Sequence, residues 1–262
     1  MNLRALITFR GRASSQAEWL VSLLSLLGAI AIWQAIAYFE WVPQQFLPTP
    51  LSVLAALYKM LTQQAFLTDI LVSMGRVWEA FLLAAIVAVP LGLIMSTYRL
   101  GGAIFEPLID FVRYLPVPAL VPLLIIWLGV GEASKIAVLW MGTFFQLVLL
   151  VADDARRVPR EYLEIGATLG AKPLEIIRDI IVPAMLPNLV DSLRVTLGWC
   201  WTYLIVAEIV ASNSGIGHVI WSMRRFVRTP EVMAGILTVG VIGLLSDQAF
   251  RLGHRLYFRY LN

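Results

Sequence analysis

Long apolar runs alternate with short charged segments along the whole chain. The spacing predicts an all-α polytopic membrane protein. A helix needs ~20 apolar residues to cross a ~30 Å hydrocarbon core. Six such runs fall at about 20–39, 74–98, 114–131, 136–152, 189–211 and 232–250. Charges punctuate them: Glu40 follows the first, Arg99 the second, Asp153, Asp154, Arg156 and Arg157 the fourth, and Arg251, Arg255 and Arg259 the last. Residues 1–262 therefore read as a single transmembrane domain of about six spans.

Local signals refine this outline. Thr49 is a predicted N-cap with Pro50 at the first helical position, where its missing N–H costs nothing. The amphipathic helix it opens is too short to span and is expected along the outer interface. Thr229 and Pro230 repeat the same signal before the sixth span. Pro90 predicts a kink in the second span. Residues 101–115 are amphipathic, with Glu106, Asp110 and Arg113 on nearly one helical face. Pro116, Pro118 and Pro122 make entry to the third span irregular, and Gly129 and Gly131 end it. Irregular backbone at membrane depth survives only where protein or a wet cavity surrounds it. The third span is thus either pathway-lining or a kinked packing helix.

Composition agrees with the spans. The chain is 60% hydrophobic and 14% charged, against about a quarter charged in soluble domains, so it lacks the polar surface to face water. Arg4, Arg10 and Arg12 before the first apolar run imitate a signal peptide. That run exceeds the ~7–15 residues of a signal core, and a retained first span is expected. Cys200, the single cysteine, excludes an internal disulfide framework and a Cys-based metal cluster. A net charge of +3 with no aromatic and basic stripe gives no nucleic-acid surface. Lys and Arg are denser on the segments that share a side with the N-terminus, although Arg224, Arg225 and Arg228 run against the bias. The positive-inside rule then predicts both termini in the cytoplasm.

Motifs of catalysis are missing. The sequence has no phosphate-cradling G-x-x-x-x-G-K-[ST], no H-E-x-x-H and no G-x-S-x-G, and its histidines, His218 and His254, fall near opposite faces. No metal site, no cofactor bound by this chain and no enzymatic activity are expected.

The chief polar interruption is the segment of about 158–183, between spans four and five and on the predicted cytoplasmic side. Pro159 can start a helix carrying Glu161, Glu164, Ala167 and Thr168, and Gly170 stops it where positive φ carries no steric penalty. Pro173 restarts a second helix through Ile181, with Pro183 and Pro187 closing the unit. Such a helix-turn-helix is either a rigid device that transmits force or a solvated loop.

Here the chain resembles a family. Importer-type ABC transporter permeases carry E-A-A, three residues, G, nine residues, then I-x-L-P in a cytoplasmic loop. Glu164-Ile165-Gly166, Gly170 and Ile180-Ile181-Val182-Pro183 hold that spacing, with Ile165, Gly166 and Val182 as departures. The stretches FLPTPLSVLAAL, VPLGLIMS, FEPLIDFVRYLPVPALVPLLIIWLGVGEASKI and TYLIVAEIVASNSGIG extend the resemblance to the nitrate/sulfonate/bicarbonate/taurine permeases. The resemblance implies a homodimer in the bacterial inner membrane. It implies two cytoplasmic ATP-binding subunits that hold ATP and Mg, and a periplasmic or lipid-anchored substrate-binding protein. Coupling contacts to the ATPase would include Glu164, Ala167, Gly170, Ala171 and Lys172, with Pro173, Ile180 and Pro183 setting the loop geometry. The short WLGVGEASKI turn looks more like the taurine and alkanesulfonate members than the nitrate and bicarbonate members.

Two further groups of residues are candidates. Charges inside spans default to function, and Arg76 and Glu208 fall near the same outer face. They either pair across helices or snorkel separately. Asp191 with Arg194, and Asp247 with Arg251, read as interface anchors or helix ties. Thr196, Trp199, Thr202 and Tyr203 form a polar-aromatic cluster with Trp201 in the fifth span, either lining a substrate pathway or packing. A self-sufficient channel or secondary transporter is the alternative class, and it predicts transport without ATPase partners.

Overall fold

The computed structural model describes residues 15–259, and Arg4, Arg10 and Arg12 lie outside them. Every regular element among these residues is a helix. Among the described residues five helices are long and apolar enough to cross a membrane, or six if one bent pair counts as a single span. The chain divides into two compact units, one of residues 1–62 and 223–234, the other of residues 63–222 and 235–262.

The smaller unit contains α1 (Ser15–Tyr38) and α2 (Pro50–Leu61). Twenty-four residues give α1 about 36 Å, enough to span. Leu24 and Ile32 expose about two-thirds of their surface, which suits lipid rather than water. Trp33 Nε1 donates to the Pro48 carbonyl at 3.0 Å, tying α1 to the approach of α2. Thr49 caps α2 through Oγ1, which accepts from Ser52 N at 3.3 Å. Thr229, expected as a second such cap, is instead already helical. Its hydroxyl donates to the Gln45 carbonyl, while Val232 N–H bonds the Arg228 carbonyl.

The larger unit is built around α3 (Gln64–Thr97) and α6 (Glu132–Arg156). Both are apolar around most of their circumference, so hydrophobicity alone does not select the packed face. Small side chains do. Val77, Ala80, Phe81, Ala84 and Ala88 follow helical spacing along one buried stripe of α3, while Leu82, Ile86 and Val87 on the other side are exposed. In lipid, close backbone approach supplies the attraction that water would otherwise provide. At Gly92 an added Cβ would stand 2.7 Å from Val151 Cβ and 2.8 Å from the Val148 carbonyl of α6. Pro90 is accommodated inside α3 without ending it.

Between these helices run α4 (Arg99–Arg113) and α5 (Val117–Leu128), bent by 101° at the break. The expected third span over 114–131 is therefore shortened. Twelve residues give α5 only about 18 Å. Pro116 lacks an N–H to continue α4 and disfavours helical Leu115, and Gly129 leaves the helix at φ +80°.

After α6 come α7 (Arg160–Thr168), α8 (Pro173–Glu175), a π-helical turn (Ile176–Ile181) and α9 (Val182–Ala211). The second helix expected to close near Ile181 does not close. It runs without a break into the fifth span, giving an apolar stretch over Pro173–Val210. Val182 N–H reaches back five residues to the Ile177 carbonyl. This wider turn lets the chain pass Pro183, which cannot donate, without a break. Two helices follow among the described residues, α10 (Ile216–Arg225) and α11 (Thr229–Tyr257).

Candidate functional site

The polar segment after α6 forms a tight turn. The Gly170 N–H bonds the Ala167 carbonyl at 3.0 Å, and the Ala171 N–H bonds the Gly166 carbonyl at 3.0 Å. These two bonds make a Schellman stop, with Gly170 at φ +83° as its left-handed residue. Pro173 then opens α8, and the Glu175 carboxylate accepts from the Lys172 N–H at 2.7 Å. Gly166, a departure from the family pattern, is buried against the tip of Ile180, a flexible end that would have to turn aside for a Cβ. Residue 166 and Ile180 thus pack α7 on the π turn.

Of the expected coupling residues, Glu164, Ala167, Gly170 and Lys172 are exposed around this turn and Ala171 is half-buried. Pro173 and Pro183 are exposed, and Ile180 is half-buried. Leu169 is 82% and Leu174 72% exposed on either side of Gly170. Large apolar side chains on a polar turn are surface that a protein partner can cover. Glu164 and Ala167 also line an open cavity of about 680 Å³ with Tyr98, Arg156 and Ile177.

At the other end of the larger unit, Arg76 joins three helices. Its Nη1 donates to Glu208 Oε1 at 2.6 Å, and its Nε and Nη2 grip Glu132 at 2.6 and 2.7 Å. It also donates to the Ser214 carbonyl at 2.9 Å and to Ser214 Oγ at 3.0 Å. Glu208 is saturated from other directions by Ser73 Oγ and the Gly217 N–H, each at 2.7 Å. Asp69 Oδ1 accepts from the Gly215 N–H at 2.7 Å. The expected proximity of Arg76 and Glu208 is thus one edge of a larger network. Glu132, Ser73, Asp69 and Ser214 are the members sequence reasoning did not single out. Asp69, Ser73 and Arg76 stand at helical spacing, a signal that was available.

The remaining ion pairs are ties. Arg194 stands 3.3 Å from both Asp191 and Asp247, and Asp247 also meets Arg251 at 2.7 Å. Arg113 pairs with Asp110 at 3.0 Å, whereas Glu106 turns away to Arg156 at 2.8 Å.

The pathway candidates of the fifth span separate. Trp199 and Tyr203 line a cavity of about 60 Å³ with Arg113, Gln146, Met141 and Leu120. Thr196 is not part of it: fully buried, it donates to the Ser192 carbonyl at 2.7 Å. Thr202 is exposed and donates to its own helix at Gly198, 3.4 Å away. Such back-bonding satisfies a hydroxyl where no other partner is offered. Trp201 is a core residue, 4% exposed. Arg113 and Gln146 were missed as cavity residues because Arg113 reaches the cavity only through the α4–α5 bend and Gln146 only through the packing of α6 on α9. Among the described residues no group of three His, Cys, Asp or Glu side chains is arranged to hold a metal ion.

Comparison with known proteins places this arrangement. The chain is 32% identical over 244 residues to a putative aliphatic sulfonates transport permease protein of Bacillus subtilis, covering 93% of this chain and 88% of that one. It is 28% identical over 250 residues to the taurine transport system permease protein of Escherichia coli, covering 94% and 90%. The fold is similar to that of the inward-facing MetNI methionine ABC transporter, with a TM-score of 0.60 at 17% identity over 71% of this chain and 94% of that one. Residues 88–256 match the family described as binding-protein-dependent transport system inner membrane component, and the chain belongs to that family.

Proposed function

We propose that this chain is the permease subunit of an ATP-driven importer for a small anion, with organic sulfonates such as taurine or alkanesulfonates as the favoured class. The observation that carries the reading is the turn at Gly170, where Leu169 and Leu174 stand exposed beside Glu164 and Lys172. Bare leucines on a polar turn are surface that a protein can cover. The proposed occupant is a cytoplasmic ATP-binding subunit, one for each of two copies of this chain, with ATP and Mg held by those subunits. A periplasmic or lipid-anchored binding protein delivers the substrate. Both termini lie in the cytoplasm of the bacterial inner membrane on this reading. The full-length similarity to sulfonate and taurine permeases supports the substrate class; nitrate and bicarbonate are the other anions the same machinery could carry.

Energy would enter through the turn. ATP binds the closed pair of ATP-binding subunits preferentially, and the docked turn passes that preference to the spans. The continuous helix from Pro173 through the π turn into α9 supports such transmission, since no loop interrupts it. The test is uptake of labelled taurine, ethanesulfonate, nitrate and bicarbonate into vesicles carrying the chain with its partner subunits. Sulfonate uptake that requires ATP, the ATP-binding subunits and the binding protein is expected. Uptake by the chain alone would instead favour a self-sufficient channel or secondary transporter.

A further inference from the structure

The cavity at the α4–α5 bend is lined by side chains whose polar ends are not all paired among the described residues. Arg113 Nε is held by Asp110 at 3.0 Å and Nη2 by Tyr114 Oη at 2.9 Å. Nη1 has no partner among the described residues. Neither does the Gln146 amide, the Trp199 Nε1 or the Tyr203 hydroxyl; all three residues line the same space of about 60 Å³. On this measure a water needs only about 10–15 Å³, so the space has room for a small polar group as well as for water. All of these free ends can donate, and the charge among them is the Arg113 guanidinium, whose carboxylate partner Asp110 does not line the cavity.

Position matters as much as chemistry. Gln146 lies near the middle of α6, and Trp199 and Tyr203 lie in the central part of α9. Trp199 is 39% exposed, so these donors open onto the cavity and the surface beside it, where a solute can reach them. The backbone makes room for them: a Cβ at Gly142 would stand 2.3 Å from Tyr203 Cδ2, so only glycine lets the tyrosine ring lie against α6.

We infer that the Arg113–Gln146–Trp199–Tyr203 cavity is an anion subsite that receives the oxyanion head of the solute in mid-passage. Arg113 supplies charge, with Asp110 and Tyr114 fixing the guanidinium. The Gln146 amide, the Trp199 indole and the Tyr203 hydroxyl supply directional donors. Donors that are neutral hold the head without trapping it. The inference rests on the reading that this chain passes an anion, and its test does not depend on which anion is transported.

The native protein supplies a silent background, because Cys200 is its single cysteine and is fully buried. Gln146→Cys, in the assembled complex in vesicles, is treated with sulfonatoethyl and with trimethylammonioethyl methanethiosulfonate. Exposed Gln45→Cys corrects for the intrinsic reactivity of the two reagents. After correction the sulfonate reagent is expected to label Gln146→Cys about tenfold faster than the cation, as a focused positive field would dictate. Arg113→Gln should abolish the preference, Arg113→Lys should keep most of it, and added ethanesulfonate should slow labelling. Equal corrected rates, a preference indifferent to Arg113→Gln, or no labelling by either reagent would overturn the subsite. Anion preference at position 146 with no sulfonate uptake in the wild-type vesicles would leave the subsite standing and remove the sulfonate assignment.

Discussion

Arg76 Nη1 stands 2.6 Å from Glu208 Oε1, with the two side chains 3% and 0% exposed. Breaking such a pair from one side leaves a charge buried without a partner, a loss of about 3–5 kcal/mol. Arg76→Met should therefore lower the midpoint of detergent-induced unfolding sharply and reduce yield. Exchanging the charges, Arg76→Glu with Glu208→Arg, should not restore the midpoint. Glu208 also accepts from Ser73 and the Gly217 N–H, and an arginine there would face donors. Full recovery by the exchange would mean that the pair alone matters and the network does not.

The Glu106–Arg156 pair offers the contrast. Its side chains are each 38% exposed at 2.8 Å, where water screens the attraction and a pair contributes about 0–1 kcal/mol. Glu106→Gln should leave the unfolding midpoint within error of the wild type. A drop as large as that of Arg76→Met would show that the pair is buried in the assembled state.

Gly142 sets the position of Tyr203. Gly142→Val requires the ring to move from a contact of 2.3 Å to the added Cβ, and overpacking of this kind costs about 1–3 kcal/mol. The variant should insert and assemble yet lose the cavity, read as a lower unfolding midpoint together with loss of anion preference at position 146. Gly142→Val with wild-type labelling would place the ring elsewhere.

Gly170 tests conformation without sterics, because nothing lies within 4 Å of an added Cβ while φ is +83°. A β-branched residue in this region costs roughly 1–2 kcal/mol. Gly170→Val should lose co-purification of the ATP-binding subunits with membrane insertion intact, whereas Gly170→Asn, which tolerates the left-handed region, should keep it. Normal co-purification of the valine variant would separate the turn from docking.

Much of the architecture was legible because apolar runs of bilayer length leave few alternatives. The cap at Thr49 and the stop at Gly170 followed from local chemistry that operates the same way in any context. What was not legible depends on packing. The shortening of the third span comes from a 101° bend whose angle no proline count specifies. The run from Pro173 through Pro183 into α9 was misread as two elements, because prolines signal breaks and a π turn that absorbs one has no sequence mark of its own. Arg76 and Glu208 were recognisable as costly charges, but Glu132 stands in the WLGVGEASKI turn, and only the fold brings its carboxylate onto the same guanidinium. Thr196 and Tyr203 stand seven residues apart, on nearly the same side of α9, and what separates them is local: Thr196 returns its hydroxyl to Ser192, while the Tyr203 ring lies against Gly142 of α6.

The most direct measurement is site-specific photo-crosslinking from position 169 in the complete complex. Leu169 is 82% exposed at the edge of the Gly170 turn, so a photoreactive side chain there can be borne without disturbing the core. The account predicts a crosslink to the ATP-binding subunit that is lost in Gly170→Val. Crosslinks confined to lipid or to the substrate-binding protein would contradict it.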